Sequence, residues 1–120
     1  MHDHRGHKTI DDQRKLMERG VDEYLKASYQ SGSRAATSEF ARLCLIDPAT
    51  LSRKFRRLFG TTPLWYFRIH QLLYAAELLR ESPMTTDEIT VNAALGTRST
   101  FFRRFVWWFG VTPDQYRRNV

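Results

Sequence analysis

Residues 103–118 of this 120-residue sequence repeat residues 53–68 at an offset of 50 positions. Within these two stretches eight aligned pairs are identical: Arg53 and Arg103, Phe55 and Phe105, Phe59 and Phe109, Gly60 and Gly110, Thr62 and Thr112, Pro63 and Pro113, Tyr66 and Tyr116, Arg68 and Arg118. Farther upstream the offset becomes 49, so Glu39 aligns with Glu88. A turn between the two halves of each repeat can accommodate this difference of one residue. A repeat of this length indicates a duplicated supersecondary unit.

The first copy has apolar residues at helical spacing and few that alternate as in a strand. It predicts a helix over residues 11–28 capped by Asp11 or Asp12, then a loop over residues 29–33. A short helix opens at Thr37, and a tight turn follows over residues 45–47. A third helix spans residues 48–59 with Asp47 as its cap, and a long fourth helix spans residues 63–81. The expected core residues are Leu16, Val21, Tyr24, Leu25, Phe40, Ala41, Leu43, Leu51, Phe55, Leu58, Leu72, Leu73, Ala76 and Leu79.

The second copy predicts the same plan. Thr85 or Thr86 caps a short helix that ends near Ala93, a longer helix covers residues 99–109, and a last short helix starts at Pro113. Its expected core residues are Ile89, Phe101, Phe105 and Trp108. A short helix, a tight turn and a longer basic helix, present twice, predict an all-α fold with two helix-turn-helix subdomains. We expect a tail over residues 1–10, subdomains over residues 11–62 and 83–120, and a linker helix over residues 63–82.

The net positive charge of the chain comes entirely from residues 48–120. The net charge is +6, yet residues 1–47 contain eight basic and eight acidic residues and sum to zero. Acidic residues are absent between Pro48 and Ala76 and again between Ile89 and Pro113. The basic residues of these two blocks are Arg53, Lys54, Arg56, Arg57, Arg68, Arg98, Arg103 and Arg104. Two acid-free basic blocks predict two contacts with a polyanion, although solvated basic faces are the alternative.

The helix over residues 48–59 carries the stronger candidate DNA-reading face. Opposite its apolar stripe lie Ala49, Ser52, Arg53 and Arg56. Arginine can donate to both O6 and N7 of guanine, so these four residues are candidates to contact base edges in a major groove. Lys54 and Arg57 flank the stripe and are expected to meet phosphates, which position a protein without specifying sequence. Arg68, Thr62, Arg104 and Thr112 complete the candidate phosphate contacts.

The helix over residues 99–109 presents a less polar face. Its stripe consists of Ser99, Phe102, Arg103 and Val106, and Arg98 adds a cation at the helix start. Phe102 and Val106 can contact thymine methyl groups. The alternative is packing, which stays open for Phe102 and which we expect for Val106 and Trp107. The two helices are therefore predicted to be unequal, the first being the stronger reader.

Two segments of the sequence resemble the AraC/XylS family of DNA-binding domains. Residues 105–118, Phe-Val-Trp-Trp-Phe-Gly-Val-Thr-Pro-Asp-Gln-Tyr-Arg-Arg, are similar to the C-terminal signature of that family. Residues 51–63, Leu-Ser-Arg-Lys-Phe-Arg-Arg-Leu-Phe-Gly-Thr-Thr-Pro, match its first recognition helix. The resemblance extends from about residue 36 to residue 118.

The resemblance implies seven helices, with recognition helices in successive major grooves about 34 Å apart. By position, it assigns base contacts to Ala49, Ser52, Arg53, Arg98, Ser99, Phe102 and Arg103. The family often has a bulkier residue at the position of Ala49 and a polar one at that of Phe102. Its turns usually contain glycine, whereas this chain has Leu45 and Ala94, so we expect turns that are strained or shaped differently.

The remaining features predict neither enzyme nor membrane protein. His2, His4, His7 and Asp3 lack a rigid tetrahedral arrangement, so we expect a terminal tail and no metal or other cofactor. Cys44 lies among apolar positions, which indicates a buried small residue rather than a redox sensor. His70 has no nucleophile pattern beside it, and no catalytic motif occurs. With no membrane span or signal peptide and a single cysteine, a cytoplasmic, nucleoid-associated location is expected.

Two functional hypotheses follow. The first is a bacterial regulator, an activator, that binds promoter DNA as a monomer and recruits RNA polymerase, as the stand-alone members of the resembled family do. About ten residues precede the first helix, so a sensor domain is not expected, and a truncated or excised domain stays an alternative. The second hypothesis is an adaptor that binds a regulatory protein through Phe102, Trp107 and Trp65 and holds DNA only weakly.

Overall fold

The computed structural model describes residues 9–119, and within them the fold is all-α, as predicted. Seven helices follow one another: α1 Ile10–Ser31, α2 Thr37–Leu43, α3 Pro48–Phe59, α4 Pro63–Glu81, α5 Thr86–Asn92, α6 Arg98–Phe109 and α7 Pro113–Arg118. The order short helix, turn, longer helix occurs at α2–α3 and again at α5–α6. The predicted pair of helix-turn-helix motifs is therefore present.

Local capping chemistry sets the ends of α3 and of its counterpart α6. Asp47 accepts a hydrogen bond from the Thr50 amide at 3.0 Å, and Pro48 occupies the first turn, where it needs no amide hydrogen. In α6 the cap is Thr97, so this helix begins one residue earlier than predicted. Both helices end at a glycine in the left-handed region, Gly60 and Gly110.

The two turns between the short and the longer helices place non-glycine residues at positive φ. Leu45 has φ 61° and Ala94 has φ 54°. A β-carbon makes this left-handed conformation unfavourable by about 1–2 kcal/mol. Of the two expected alternatives, strained or differently shaped turns, these φ angles correspond to the strained one.

The helices enclose two separate hydrophobic cores. The first contains Val21, Tyr24, Leu25, Phe40, Ala41, Leu51, Phe55 and Phe67. The second contains Leu72, Ala75, Ala76, Leu79, Ile89, Ala93, Leu95, Phe101 and Phe105. Helix α4 supplies side chains to both cores, Phe67 to one and Leu72 to the other. The molecule is consequently elongated, with extents of 56 × 28 × 22 Å.

Several details of α1 and of the expected cores were wrong. Thr9, not Asp11 or Asp12, caps α1 in a capping box with Asp12, and α1 continues to Ser31 through the expected loop. Leu16 is exposed because the half-buried Met17 and the buried Val21 form the side of α1 that packs against the first core. Four more residues were wrongly assigned to a core and are exposed: Leu43, Leu73, Trp108 and Cys44.

Three of these errors share one cause, because Leu16, Leu73 and Trp108 each stand next to the residue that carries the apolar stripe. Leu43 and Cys44 lie at the C-terminal end of α2, three and four residues after the buried Phe40, and helical spacing does not explain their exposure. Leu73 follows the buried Leu72, and Trp108 precedes Phe109, which packs against the second core. A shift of one residue turns a side chain by about 100° around a helix, which is enough to move it from core to solvent.

No helix within residues 9–119 is long and apolar enough to cross a membrane. In the same range no cluster of histidine, cysteine or carboxylate side chains could hold a metal ion. The tail histidines considered above, His2, His4 and His7, lie outside the described residues.

Candidate nucleic-acid interface

Helix α3 presents its predicted reading face to solvent. Leu51, Phe55 and Leu58 are buried in the first unit. On the opposite side Ala49, Arg53 and Arg56 are exposed and Ser52 is half-buried. The side chain of Lys54 is exposed beside them. A helix with a buried apolar stripe and a basic outer face has the shape and charge that a DNA major groove accepts.

A chain of hydrogen bonds orients Arg53 on that face. The Arg53 guanidinium donates through Nη2 to Oγ1 of Thr50 at 3.1 Å, and the Thr50 hydroxyl donates to Oδ2 of Asp47 at 2.7 Å. Hydrogen bonds from the Thr50 side chain and amide hold the pKa of Asp47 below its usual range. The helix cap therefore supplies a negative anchor that limits where the Arg53 guanidinium can point.

Two side chains of helix α1 hydrogen-bond to the C-terminal end of α3. Arg14 donates through Nε to the carbonyl oxygen of Leu58 at 3.0 Å. Arg57, predicted to contact a phosphate, donates through Nη2 to Oε1 of Gln13 at 3.0 Å. These two contacts fix the last turn of α3 against α1, and they hold Arg57 at the edge of the reading face.

Helix α6 uses its predicted face differently. Ser99 and Arg103 are exposed, and Phe102 is half-buried against the second core. The guanidinium carbon of Arg98 lies 4.9 Å from the centre of the Phe102 ring, and Arg98 Nε lies 3.7 Å from Oδ1 of Asp87. In the free protein, Arg98 therefore already makes a cation–π contact with Phe102 and an ion pair with Asp87.

Trp107 and Val106 are more exposed than the packing interpretation predicted. Trp107 keeps 66% of its surface exposed, and Val106 keeps 40%. Instead of entering a core, the Trp107 ring meets the Trp65 ring edge-on, with centroids 5.2 Å apart. Trp65, at the start of α4, is itself 39% exposed. The pair lines a groove of about 270 Å³ between α4 and α6, together with Arg68, Ile69, Leu72, Arg103 and Arg104.

The remaining phosphate candidates occupy two kinds of position. Thr62 and Thr112 cap α4 and α7, where each hydroxyl oxygen accepts a backbone N–H, from Trp65 at 3.2 Å and from Gln115 at 3.1 Å. The O–H hydrogen of a capping threonine is a separate donor. Arg68 and Arg104 are half-buried between the two helix-turn-helix units.

Sequence inspection missed three residues that shape this surface. Thr50 was available from its spacing, since it stands three residues from both Asp47 and Arg53. Gln13 and Arg34 gave no local signal. Gln13 is 44 positions from the arginine it contacts, and Arg34 joins Arg68 and Arg104 around one cleft only in the folded chain.

A family model described as a helix-turn-helix domain matches residues 40–119. The transposon Tn10 TetD protein of Escherichia coli is 39% identical over 67 residues, 56% of this chain and 49% of that protein. The transcriptional activator RclR of Escherichia coli K12 is 30% identical over 80 residues, which are 67% of this chain and 28% of RclR. The virulence regulon activator VirF of Yersinia enterocolitica is 27% identical over 100 residues, covering 83% and 36%. The chain therefore spans half or less of the length of these relatives.

Solved structures share the fold. A Chromobacterium violaceum transcriptional regulator, described as an AraC-type DNA-binding domain protein, superposes with a TM-score of 0.77 at 21% identity, covering 92% of this chain and 95% of the other. The DNA-binding domain of the global transcriptional factor AdpA, crystallised with a target DNA, gives a TM-score of 0.73 at 22% identity, covering 83% and 91%. At this identity the likeness establishes the arrangement of helices.

Proposed function

The chain belongs to the AraC-type helix-turn-helix family, and on that premise we propose that it is a bacterial transcriptional regulator, an activator, that binds duplex DNA sequence-specifically. One observation carries the proposal. The fold contains two copies of a helix with a buried apolar stripe and an exposed basic face, in acid-free stretches of sequence. Such a duplicated face suits two successive major grooves of one duplex.

The length of the molecule agrees with that mode of binding. Its longest extent is 56 Å, and successive major grooves on one side of a duplex are about 34 Å apart. In the first groove, the residues proposed to contact bases are Ala49, Ser52, Arg53 and Arg56. In the second, they are Arg98, Ser99, Phe102 and Arg103. The proposed phosphate contacts are Lys54, Arg57, Arg68, Thr62, Arg104 and Thr112.

The two helices contribute unequally in this proposal. Arg53 is tethered through Thr50 to an anionic cap, whereas the corresponding cap of α6 is the neutral pair Thr97 and Thr100, whose hydroxyls are 3.0 Å apart. Arg98 is engaged by Phe102 and Asp87. Helix α3 therefore discriminates between base pairs, and α6 supplies mainly affinity and apolar contact with thymine methyl groups.

The protein is proposed to act as a monomer on an asymmetric site and to contact RNA polymerase while bound. A second candidate function rests on the exposed Trp65–Trp107 pair. An adaptor would use that aromatic surface to hold a regulatory protein and would bind DNA weakly. Aromatic residues are enriched in protein interfaces, which is why this candidate is retained.

The dependence of binding on salt separates the two candidates. A regulator that makes about 6–8 phosphate contacts should show a slope of about −5 to −7 in a plot of log K against log salt concentration. It should also prefer one duplex sequence over random duplex at every salt concentration. An adaptor should show a shallow slope without sequence preference, and that result would reject the proposed function.

A further inference from the structure

Three arginines from three different segments converge on one cleft at the junction of the two helix-turn-helix units. Arg34 lies in the loop between α1 and α2, Arg68 in α4 and Arg104 in α6. They line a cleft of about 30 Å³ together with Ala35, Leu64, Gln71, Ala94 and Leu95. Nη2 of Arg34 lies 3.9 Å from the point that a β-carbon on Gly96 would occupy, so the side chain crosses to the second unit.

No carboxylate neutralises this cluster within residues 9–119. The ion pairs of the described residues join Arg14 to Asp11 and Arg98 to Asp87, and neither involves the cleft. Burial lowers the pKa of Arg104, and the positive charges of Arg68, Arg103 and Arg34 lower it further. Like charges brought together without a counter-ion repel one another, so the free protein bears a cost that an anion would remove.

The chemistry of the cluster favours phosphate. A guanidinium offers a planar fork of donors that matches two oxygens of a phosphate, and several such forks can share one phosphate group. The cleft also connects to the DNA-reading surface, because Arg68 and Arg104 line the α4–α6 groove with Arg103. The cleft has about the volume of a single water, so a phosphate would bind at its mouth, beside the reading face of α6.

We propose that Arg34, Arg68 and Arg104 form one composite phosphate site, and that its ligand is a DNA backbone phosphate between the two boxes contacted by α3 and α6. The choice of DNA as the source of the phosphate rests on the proposed function. Because one arginine comes from each unit and the third from the connecting helix, a bound phosphate joins the two units electrostatically. DNA thereby fixes the spacing of the two reading helices at the same time as it is bound.

Binding of the full chain to its preferred duplex tests the proposal. The variants are Arg34→Gln, Arg68→Gln and Arg104→Gln, and the matched control is Arg19→Gln, which removes an exposed arginine of α1 away from the cleft. Each cleft variant should weaken binding to preferred and random duplexes by the same factor and reduce the salt slope by about 1. The control variant should leave the affinity for both duplexes and the salt slope unchanged.

A second DNA identifies the phosphate. In this duplex, neutral methylphosphonates replace the phosphates between the two boxes. Wild-type protein should bind it more weakly than Arg34→Gln binds the natural duplex, because the substitution removes one of the three arginines and the neutral linkages remove the partner of all three. On the neutral duplex, Arg34→Gln should bind like the wild type. Full additivity of the two changes would overturn the assignment of that phosphate to the cleft.

Thermal unfolding with sodium tripolyphosphate tests the site without DNA. At equal ionic strength, tripolyphosphate should raise the Tm of the wild type above that in sodium chloride, and Arg104→Gln should abolish this rise. Without the anion, Arg104→Gln should melt at or above the wild-type Tm, which shows that the variant folds. If the rise survives in all three variants, the cleft is not an anion site.

Duplex binding and thermal unfolding with tripolyphosphate, taken together, separate failure of this inference from failure of the proposed function. If tripolyphosphate acts through these arginines while the variants bind the preferred duplex like the wild type, the cleft holds a free polyphosphate, and the DNA assignment is overturned. If the chain binds no duplex yet keeps the tripolyphosphate effect, the proposed function fails, the DNA assignment fails with it, and the anion site stands.

Discussion

Arg53 and Thr50 are joined by a hydrogen bond of 3.1 Å from Nη2 of the guanidinium to Oγ1 of the hydroxyl, and Thr50 in turn donates to Asp47 at 2.7 Å. The helix cap of α3 and Arg53, the residue proposed to read a base, are thus one hydrogen-bonded unit. A residue that usually serves only to start a helix also orients an arginine of the proposed DNA-contacting face.

Removing the tether should lower sequence discrimination without removing charge. In Thr50→Val the Arg53 guanidinium loses its partner and samples more rotamers, so preference for the best base at one position should fall by less than about 1 kcal/mol. Fluorescence titrations with matched and single-mismatch duplexes measure this preference. Thr100→Val in α6 is the control and should change discrimination less. An equal loss in both variants would contradict the account of unequal helices.

The two positive-φ turns should respond differently to glycine. Leu45 is 91% exposed, so Leu45→Gly relieves the left-handed strain at the expense of added chain entropy, and stability should rise by about 0.5–1 kcal/mol. Ala94 is buried, so Ala94→Gly also loses a packed methyl group worth about 0.8 kcal/mol, and its stability should change little. Urea denaturation measures both. Destabilisation by Leu45→Gly would show that the turn is not strained.

His70 should make the fold less stable in mild acid. Burial lowers the pKa of His70 from its usual value of 6.5, and Asp22 and Glu18 only partly oppose this. The unfolded chain therefore takes up a proton first, and stability falls as the pH drops below about 6.5. In urea denaturation from about pH 7.5 to about 5.5, His70→Phe, which keeps a ring beside Tyr66, should show a shallower decline. An unchanged decline would assign the acid sensitivity elsewhere.

Replacing aromatic residues of α6 by alanine should cost much more stability in the core than at the surface. Phe105 is fully buried, and Phe105→Ala should cost about 3–5 kcal/mol. Trp107 makes an edge-on contact with Trp65 but is mostly exposed, so Trp107→Ala should cost no more than about 1.5 kcal/mol. Chemical denaturation of the two variants gives the comparison. Similar losses would mean that the Trp65–Trp107 pair is part of the second core.

Local signals predicted the fold because they govern helix ends and buried stripes. Asp47 before Pro48 and Gly60 after Phe59 place the limits of α3 without reference to the rest of the chain. Single-residue errors such as Leu16 in place of Met17 arose where neighbouring residues were equally apolar. Packing against another helix decides such cases, and spacing alone does not contain that information.

The candidate site was predictable in part for the same reason. The face of α3 follows from helical periodicity, so Ala49, Arg53 and Arg56 could be placed together from their spacing. The approach of Arg34 to Arg104 spans 70 positions of sequence and depends on how α1, α4 and α6 pack. The exposure of Trp107 likewise depends on the space left by α4, since an aromatic residue at helical spacing usually enters a core.

Selection from a random duplex library, with wild type and Arg53→Ala run in parallel, tests the central claim most directly. We predict two short non-palindromic boxes about one helical turn apart for the wild type. For Arg53→Ala we predict relaxed preference at one position and a loss of about 1–3 kcal/mol on the selected duplex. Loss of affinity for all duplexes alike would contradict base contact by Arg53. No enrichment by a folded wild-type protein would contradict the assignment of this chain as a sequence-specific DNA-binding regulator.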